Sequence, residues 1–156
     1  MTVPPGPRLG IDVGSVRIGI AVSDPEGTVA VPLTTVPRGP GDVDAIVELA
    51  RQRGAAGLVV GLPRTLSGGE GSAARSSREF ALRLARRASP TPVQLVDERL
   101  TTAGASRGLR EAGLSSRRAR HVVDQVAAAA ILQGALDSER AGRVPAGEVV
   151  DGTGSR

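Results

Sequence analysis

The stretch GIDVGSVRIGIAVSD, residues 10–24, constrains the fold of this chain more than any other. Its apolar runs, Arg8–Val13 and Arg17–Ser23, are separated by Gly14-Ser15, a pattern that predicts a β-hairpin. In the middle of the first run stands a carboxylate, Asp12. An ionised carboxylate in an apolar interior is strongly disfavoured unless it is paired, hydrogen-bonded or bound to a metal. Asp12 therefore needs a partner, and the fold has to supply it.

The remaining punctuation is regular. Thr28–Val36 reads as a third strand, led in by the turn signal Asp24-Pro25-Glu26-Gly27. Asp42–Arg53 sets Val43, Ile46, Val47 and Ala50 at helical spacing, and Gly54 ends it. Gly57–Pro63 is a short buried strand, and Ser72–Arg87 a helix turning Ala73, Phe80, Ala81 and Leu84 toward the core. Pro92–Glu98 is another strand, Thr101–Glu111 a helix and Gly113–Arg118 a basic loop. About Arg120–Arg140 is a long Ala-rich helix. The order predicts an α/β fold: a mixed five-stranded sheet, an antiparallel β-β-β meander followed by α-β-α-β-α-α, covered by helices. A length of 156 residues fits one domain, expected over 8–140. Disordered tails rich in Pro, Gly and polar residues are expected at 1–7 and 141–156.

Composition removes several function classes. Without Cys there are no disulfides and no thiolate metal sites. No apolar run approaches the roughly 18 residues of a membrane span, and the N-terminus lacks a signal-peptide pattern. A cytoplasmic protein that does not engage a membrane is expected. The net charge is +4, and every basic residue is arginine. Residues 64–120 hold 12 Arg against 5 acids, and the remainder 8 Arg against 11 acids. Such gathering is the usual footprint of a polyanion-binding face, and the guanidinium fork suits phosphate oxygens. A GC-rich genome or a solvated helix face would leave a similar pattern. With one Phe and no Trp or Tyr, there is almost no platform for stacking bases.

Besides Asp12, two more places hold carboxylates that structure alone would not choose. Asp97-Glu98 ends the last strand, and Asp124 has Ala127, Ala128 and Ile131 at plus three, four and seven, the buried face of the final helix. Each could be satisfied separately: Asp12 by turn amides, Glu98 by Arg99, Asp124 by a helix terminus. One shared cation is the more economical account, since like charges brought together repel. An oxygen-only site suits Mg²⁺ or Mn²⁺ rather than zinc. A carboxylate-held ion beside a basic surface is what phosphodiester hydrolysis requires. Asp97 and Glu98 point to opposite sides of an extended chain, and periodicity does not choose between them.

GIDVGSVRIGIAVSD, VVGLP…LSGGEGSAA, VDERLTT and VVDQVAAAAILQ, in this order and spacing, resemble the RuvX (YqgF) family of ribonuclease H-like proteins, related to RuvC-type junction resolvases. The resemblance runs from about residue 8 to 137. It implies a metal-dependent nuclease whose catalytic and metal-binding acids are Asp12, Glu98 and Asp124, with Asp97 in reserve. It also implies processing of the 5′ end of pre-16S ribosomal RNA in some members and Holliday junction resolution in others. The glycine loop departs from the family pattern, with Thr65 and Ser67 where relatives carry Asn and Asp.

The phosphate-binding candidates are Arg17, Arg64, Arg107, Arg110, Arg117, Arg118 and Arg120. Arg17 either grounds Asp24 or an internal carboxylate, or contacts the scissile strand. His121 is a surface residue or helix cap, with a general base as the alternative. The expected partner is nucleic acid, either structured RNA in a pre-ribosomal particle or branched DNA, bound by a monomer or a weak homodimer. Two other classes compete. A non-catalytic nucleic-acid-binding module would keep the fold without cleavage. A kinase of the actin superfamily would need a second such domain, which this length cannot supply.

Overall fold

A computed structural model describes residues 6–65, 67–98, 117–142 and 147–151. Six strands form one sheet: β1 (Arg8–Val13), β2 (Arg17–Ser23), β3 (Ala30–Pro37), β4 (Gly57–Leu62), β5 (Val93–Asp97) and β6 (Glu148–Val150). Their spatial order is β3-β2-β1-β4-β5-β6. The hairpin and meander are antiparallel, β1-β4 and β4-β5 are parallel, and β6 is antiparallel to β5. Helices α1 (Asp42–Arg53), α2 (Ser72–Ala88) and α3 (Arg117–Arg140) cover it.

Local chemistry accounts for the boundaries. Asp24 Oδ1 accepts from the amides of Thr28 (2.8 Å) and Val29 (2.7 Å), and Gly27 takes φ 69° to complete the turn before β3. Hydrogen bonding from Val29 first, and from Thr28, holds the Asp24 carboxyl below its ordinary pKa. Acids in the first turn and arginines in the last suit the dipole of α1, and Gly54 at φ 62° caps it.

Side-chain parity divides the interior. Leu9, Ile11, Ile18, Ile20, Leu58, Val60, Val93 and Leu95 point one way and pack with Ile46 of α1 and Phe80 and Leu84 of α2. Val59 and Val96 point the other way, against Ile131, Leu132, Ala135 and Leu136 of α3. Helix α3 crosses β1–β4 closely because the strands present glycines beneath it. A Cβ on Gly10 would lie 2.6 Å from both the Ala128 carbonyl oxygen and Leu132 Cβ, and one on Gly61 2.5 Å from Ile131 Cδ1.

At the far end of α3 the contact is ionic. Arg8, 3% exposed, donates from Nη1 to Glu139 Oε1 at 2.8 Å and from Nη2 to Oε2 at 3.1 Å, with Gln94 Oε1 at 2.6 Å. Breaking such a pair strands a buried charge. Glu139→Ala is expected to lower unfolding stability by about 3 kcal/mol, read as an earlier urea midpoint.

Four expectations change. The sheet has six strands rather than five, because 148–150, inside the stretch expected to be a disordered tail, pairs with β5. Gly6 and Pro7 are likewise tied down, the Gly6 amide donating to Pro25 and the Pro7 carbonyl accepting from Ala56. Helix α2 buries Ala74 instead of Ala73, in phase with Ser77, Phe80, Ala81 and Leu84; two neighbouring alanines offered no way to choose. Helix α3 begins at Arg117, so Arg117 and Arg118 belong to its first turn and not to a loop. The Thr101–Glu111 helix lies outside the described residues.

Candidate active site

Three buried carboxylates lie on the α3 side of the sheet. Asp12 shares its parity with Gly10, so it faces α3, and it stands opposite Gly19 of β2. Above Gly19 lies Asp124: a Cβ on that glycine would overlap the Asp124 carbonyl oxygen and come within 3.1 Å of its Cβ. On the other flank Ile11 pairs with Val60, so Gly61 follows beside Asp12. There a Cβ would lie 2.7 Å from Glu98 Oε2. Asp12, Glu98 and Asp124 are 0%, 4% and 2% exposed. They are thus distributed over two neighbouring strand spacings, about 10 Å.

The register also separates the neighbouring acids. Gly61 pairs with Val96, which packs against α3, and Glu98 shares that parity. Asp97 faces the other way, with Arg64 Nε 3.5 Å from its Oδ2.

Arg17 reaches Asp124, its Nε 2.9 Å from Oδ2. The N–H is not directed at the oxygen, so Nε makes no hydrogen bond and the contact is a charge pairing. Asp24, the other partner considered for Arg17, is satisfied by its turn. His121, half-buried at the start of α3, shares a hydrogen bond of 2.9 Å between Nδ1 and Thr35 Oγ1. Thr35 is the partner of Gly19 in β3, so the imidazole borders the carboxylates as a packed residue rather than a surface one or a cap.

Arg64 is held within the glycine-rich loop after β4, pairing with Glu70 (3.6 Å) as well as Asp97 and donating to the Gly68 carbonyl (3.2 Å). Thr65 Oγ1 accepts from the Gly69 amide at 3.0 Å, which closes the loop. Arg78 donates to both Glu70 oxygens at 2.7 Å, and this bonding holds the Glu70 carboxyl below its ordinary pKa. Arg107 and Arg110 lie outside the described residues. Arg117, Arg118 and Arg120 fall in the first turn of α3, at the end that carries Asp124.

The fold also divides the basic stretch. Arg75, Arg78, Arg83, Arg86 and Arg87 belong to α2, on the opposite face of the sheet from the carboxylates. Several have other duties: Arg78 pairs with Glu70 and Glu148, Arg87 with Asp44, and Arg83 lies over the Phe80 ring. Charge counted along the sequence overstated the basic surface near the site.

A mixed sheet of this order, covered on both sides by helices, is the ribonuclease H-like fold. The RuvX family model, described as a Holliday junction resolvase, matches residues 6–138, and the chain belongs to this family. A relative from Thermobifida fusca, provisionally named a pre-16S rRNA nuclease, is 51% identical over 155 residues, covering 95% of this chain and 98% of that one. Another from a Nocardioides species, with the same name, is 53% identical over 153 residues, covering 95% and 98%. Among solved structures, Thermus thermophilus RuvC in complex with a Holliday junction substrate superposes with a TM-score of 0.56 at 20% identity, covering 90% of this chain and 98% of that one. That likeness speaks for the fold. The chain is a nuclease of the RuvX family.

Membership implies a divalent cation. The donor set suits a hard ion: three buried carboxylates on one face, with no thiolate in the chain. Among the described residues no group of three or more acidic, histidine or cysteine side chains lies close enough together to hold one ion. No helix among the described residues is long and apolar enough to cross a membrane.

Proposed function

We propose that this chain hydrolyses a phosphodiester bond at the 5′ end of the 16S ribosomal RNA precursor, in the cytoplasm and on a pre-ribosomal particle. The observation that carries the reading is the placement of buried Asp12 and Glu98 on the sheet face under α3 and of buried Asp124 on α3 itself, at the end where Arg117, Arg118 and Arg120 begin the helix. These carboxylates would hold Mg²⁺ or Mn²⁺, which supplies an activated water and stabilises the leaving oxygen. The arginines bind the phosphate backbone, and the glycine-floored packing of α3 excludes bulk water from the carboxylates. With almost no aromatic surface, recognition rests on RNA shape and on the particle.

Holliday junction cleavage is the second reading, favoured by the family description. A resolvase cuts two strands symmetrically and needs a two-fold dimer, with an interface of roughly 1,200–2,000 Å². The exposed large apolar residues among those described are valines in at most pairs: Val29 and Val31 at the start of the edge strand β3, Val122 and Val126 one turn apart on α3, and Val16 and Val149 singly. That favours a single cut by a monomer.

The deciding experiment offers purified protein a pre-16S 5′ leader and a four-way DNA junction in parallel, with Mg²⁺ or Mn²⁺. Cleavage of the leader is expected. Paired symmetric nicks on the junction by a stable dimer, with the RNA untouched, would reverse the assignment. Binding without metal-dependent cleavage of either would make the chain a non-catalytic module.

The arginines at the start of α3 give a separate expectation. Arg117→Ala/Arg118→Ala should weaken binding of all sequences alike. It should also flatten the salt dependence by about one unit per lost phosphate contact, measured by fluorescence anisotropy across a salt series. A loss confined to one sequence would contradict backbone recognition.

A further inference from the structure

We propose that Arg17 stands in for a cation at this site: its guanidinium holds Asp124 in the ion-free protein, and releases it when a divalent ion binds and a substrate phosphate takes the guanidinium in its place. The inference rests on the metal-dependent reading above.

Two arginine–carboxylate pairs tie the sheet to α3, and they differ in kind. Arg8 is locked to Glu139 by two directed hydrogen bonds from its Nη atoms, and Nη2 also donates to Gln94 Oε1; its Nε, like that of Arg17, makes none. Arg17 Nε lies 2.9 Å from Asp124 Oδ2 without hydrogen-bond geometry. The first pair is built to stay; the second is held by charge and can exchange. Their surroundings agree. Arg8 is 3% exposed, whereas the Arg17 side chain is 17% exposed. Arg17 opens β2 at the tip of the hairpin, next to the exposed Ser15 and Val16, so its guanidinium can reach the rim while its backbone stays fixed by the Gly14 amide.

The carboxylates also have something to gain from exchange. Asp124 is 2% exposed, and an ionised group at such depth requires a positive partner. Before an ion arrives, Arg17 supplies it. Arg17 belongs to β2, whereas Glu98 lies beside Gly61 of β4, on the other flank of Asp12. Once an ion takes Asp124, the guanidinium becomes available, and its planar fork matches phosphate oxygens. Ion and nucleic acid then reinforce each other's binding, and the linkage must be reciprocal. Arg17 is thus a positioning residue for Asp124 before it is a phosphate ligand.

The test reads binding, not turnover. Mn²⁺ affinity is measured by electron paramagnetic resonance without nucleic acid, for the unaltered chain, Arg17→Gln, Arg17→Lys and, as a control, Arg83→Gln on the opposite face. Arg17→Gln should bind Mn²⁺ about tenfold more tightly, and Arg83→Gln within about twofold of the unaltered chain, since exposed charges beyond a Debye length are largely screened. In a second arm, a labelled RNA hairpin is bound with and without Ca²⁺. The unaltered chain should gain about tenfold from the ion, and Arg17→Gln should lose most of that gain. Arg17→Lys, which keeps the charge without the fork, should hold its Mn²⁺ affinity near the unaltered value but weaken the coupling; it decides the matter if the glutamine variant fails to fold. Equal Mn²⁺ affinity in Arg17→Gln and the unaltered chain, or an undiminished gain from the ion in either Arg17 variant, overturns the proposal while leaving the metal site standing. No saturable Mn²⁺ binding by any variant, with or without the hairpin, overturns both.

Discussion

Asp124→Asn is expected to reduce cleavage by about a thousandfold or more while leaving nucleic-acid binding largely intact. The amide keeps the size of the side chain but removes the charge that an ion would need. Metal-ion catalysis contributes several kcal/mol, and each 1.36 kcal/mol is a factor of ten in rate. Stability should respond far less, because two effects oppose each other. Losing the contact with Arg17 removes one ion pair. Losing a negative charge near Asp12 and Glu98 relieves repulsion among buried carboxylates. Single-turnover cleavage and urea unfolding, measured on the same preparation, check both halves. Cleavage at the unaltered rate would remove Asp124 from the site.

How much of this was legible before the fold was known depended on whether the signal was periodic or spatial. The strands and α1 announced themselves through apolar runs bounded by Gly14-Ser15, the Asp24–Gly27 turn and Gly54. Asp12 and Asp124 stood out because a charge interrupts an otherwise apolar face, and both are buried. Periodicity left Glu98 and Asp97 open, since a strand buried on both sides carries no alternation to read; the family resemblance pointed to Glu98, and the β4-β5 register puts it on the face of Asp12. Strand β6 is three residues long, too short for a period to appear in a Pro- and Gly-rich segment. That Arg17 could ground an internal carboxylate was legible, but not that the carboxylate is Asp124, because the pairing spans more than a hundred residues. Charge clustering misled for a related reason. Residues adjacent along the chain end on both faces of the sheet, so the arginines of α2 are placed away from the carboxylates.

The glycines beneath α3 are the least conspicuous part of the site, and one of them should be the most sensitive to a single methyl group. Gly19→Ala is expected to cost about 3 kcal/mol of stability and about a hundredfold in cleavage. A Cβ there overlaps the Asp124 carbonyl oxygen, which is helix backbone and cannot swing aside as a flexible side chain would. Overpacking of this kind typically costs 1–3 kcal/mol, and a rigid neighbour places it at the upper end. Relief requires α3 to rise from the sheet, and the residue displaced most directly is Asp124 itself. Misplacement of a catalytic group by about 1 Å is enough for a hundredfold loss. Gly71→Ala is the matched control: nothing lies within 4 Å of the added carbon, and its φ of −91° suits any residue. Only the loss of a glycine N-cap weighs against it, about 1 kcal/mol or less. Cleavage is compared well below the unfolding midpoint of each variant, so that a fall in rate reports on geometry rather than on the folded fraction. If Gly19→Ala cleaved as Gly71→Ala does, the close approach of α3 would not be what brings Asp124 to Asp12.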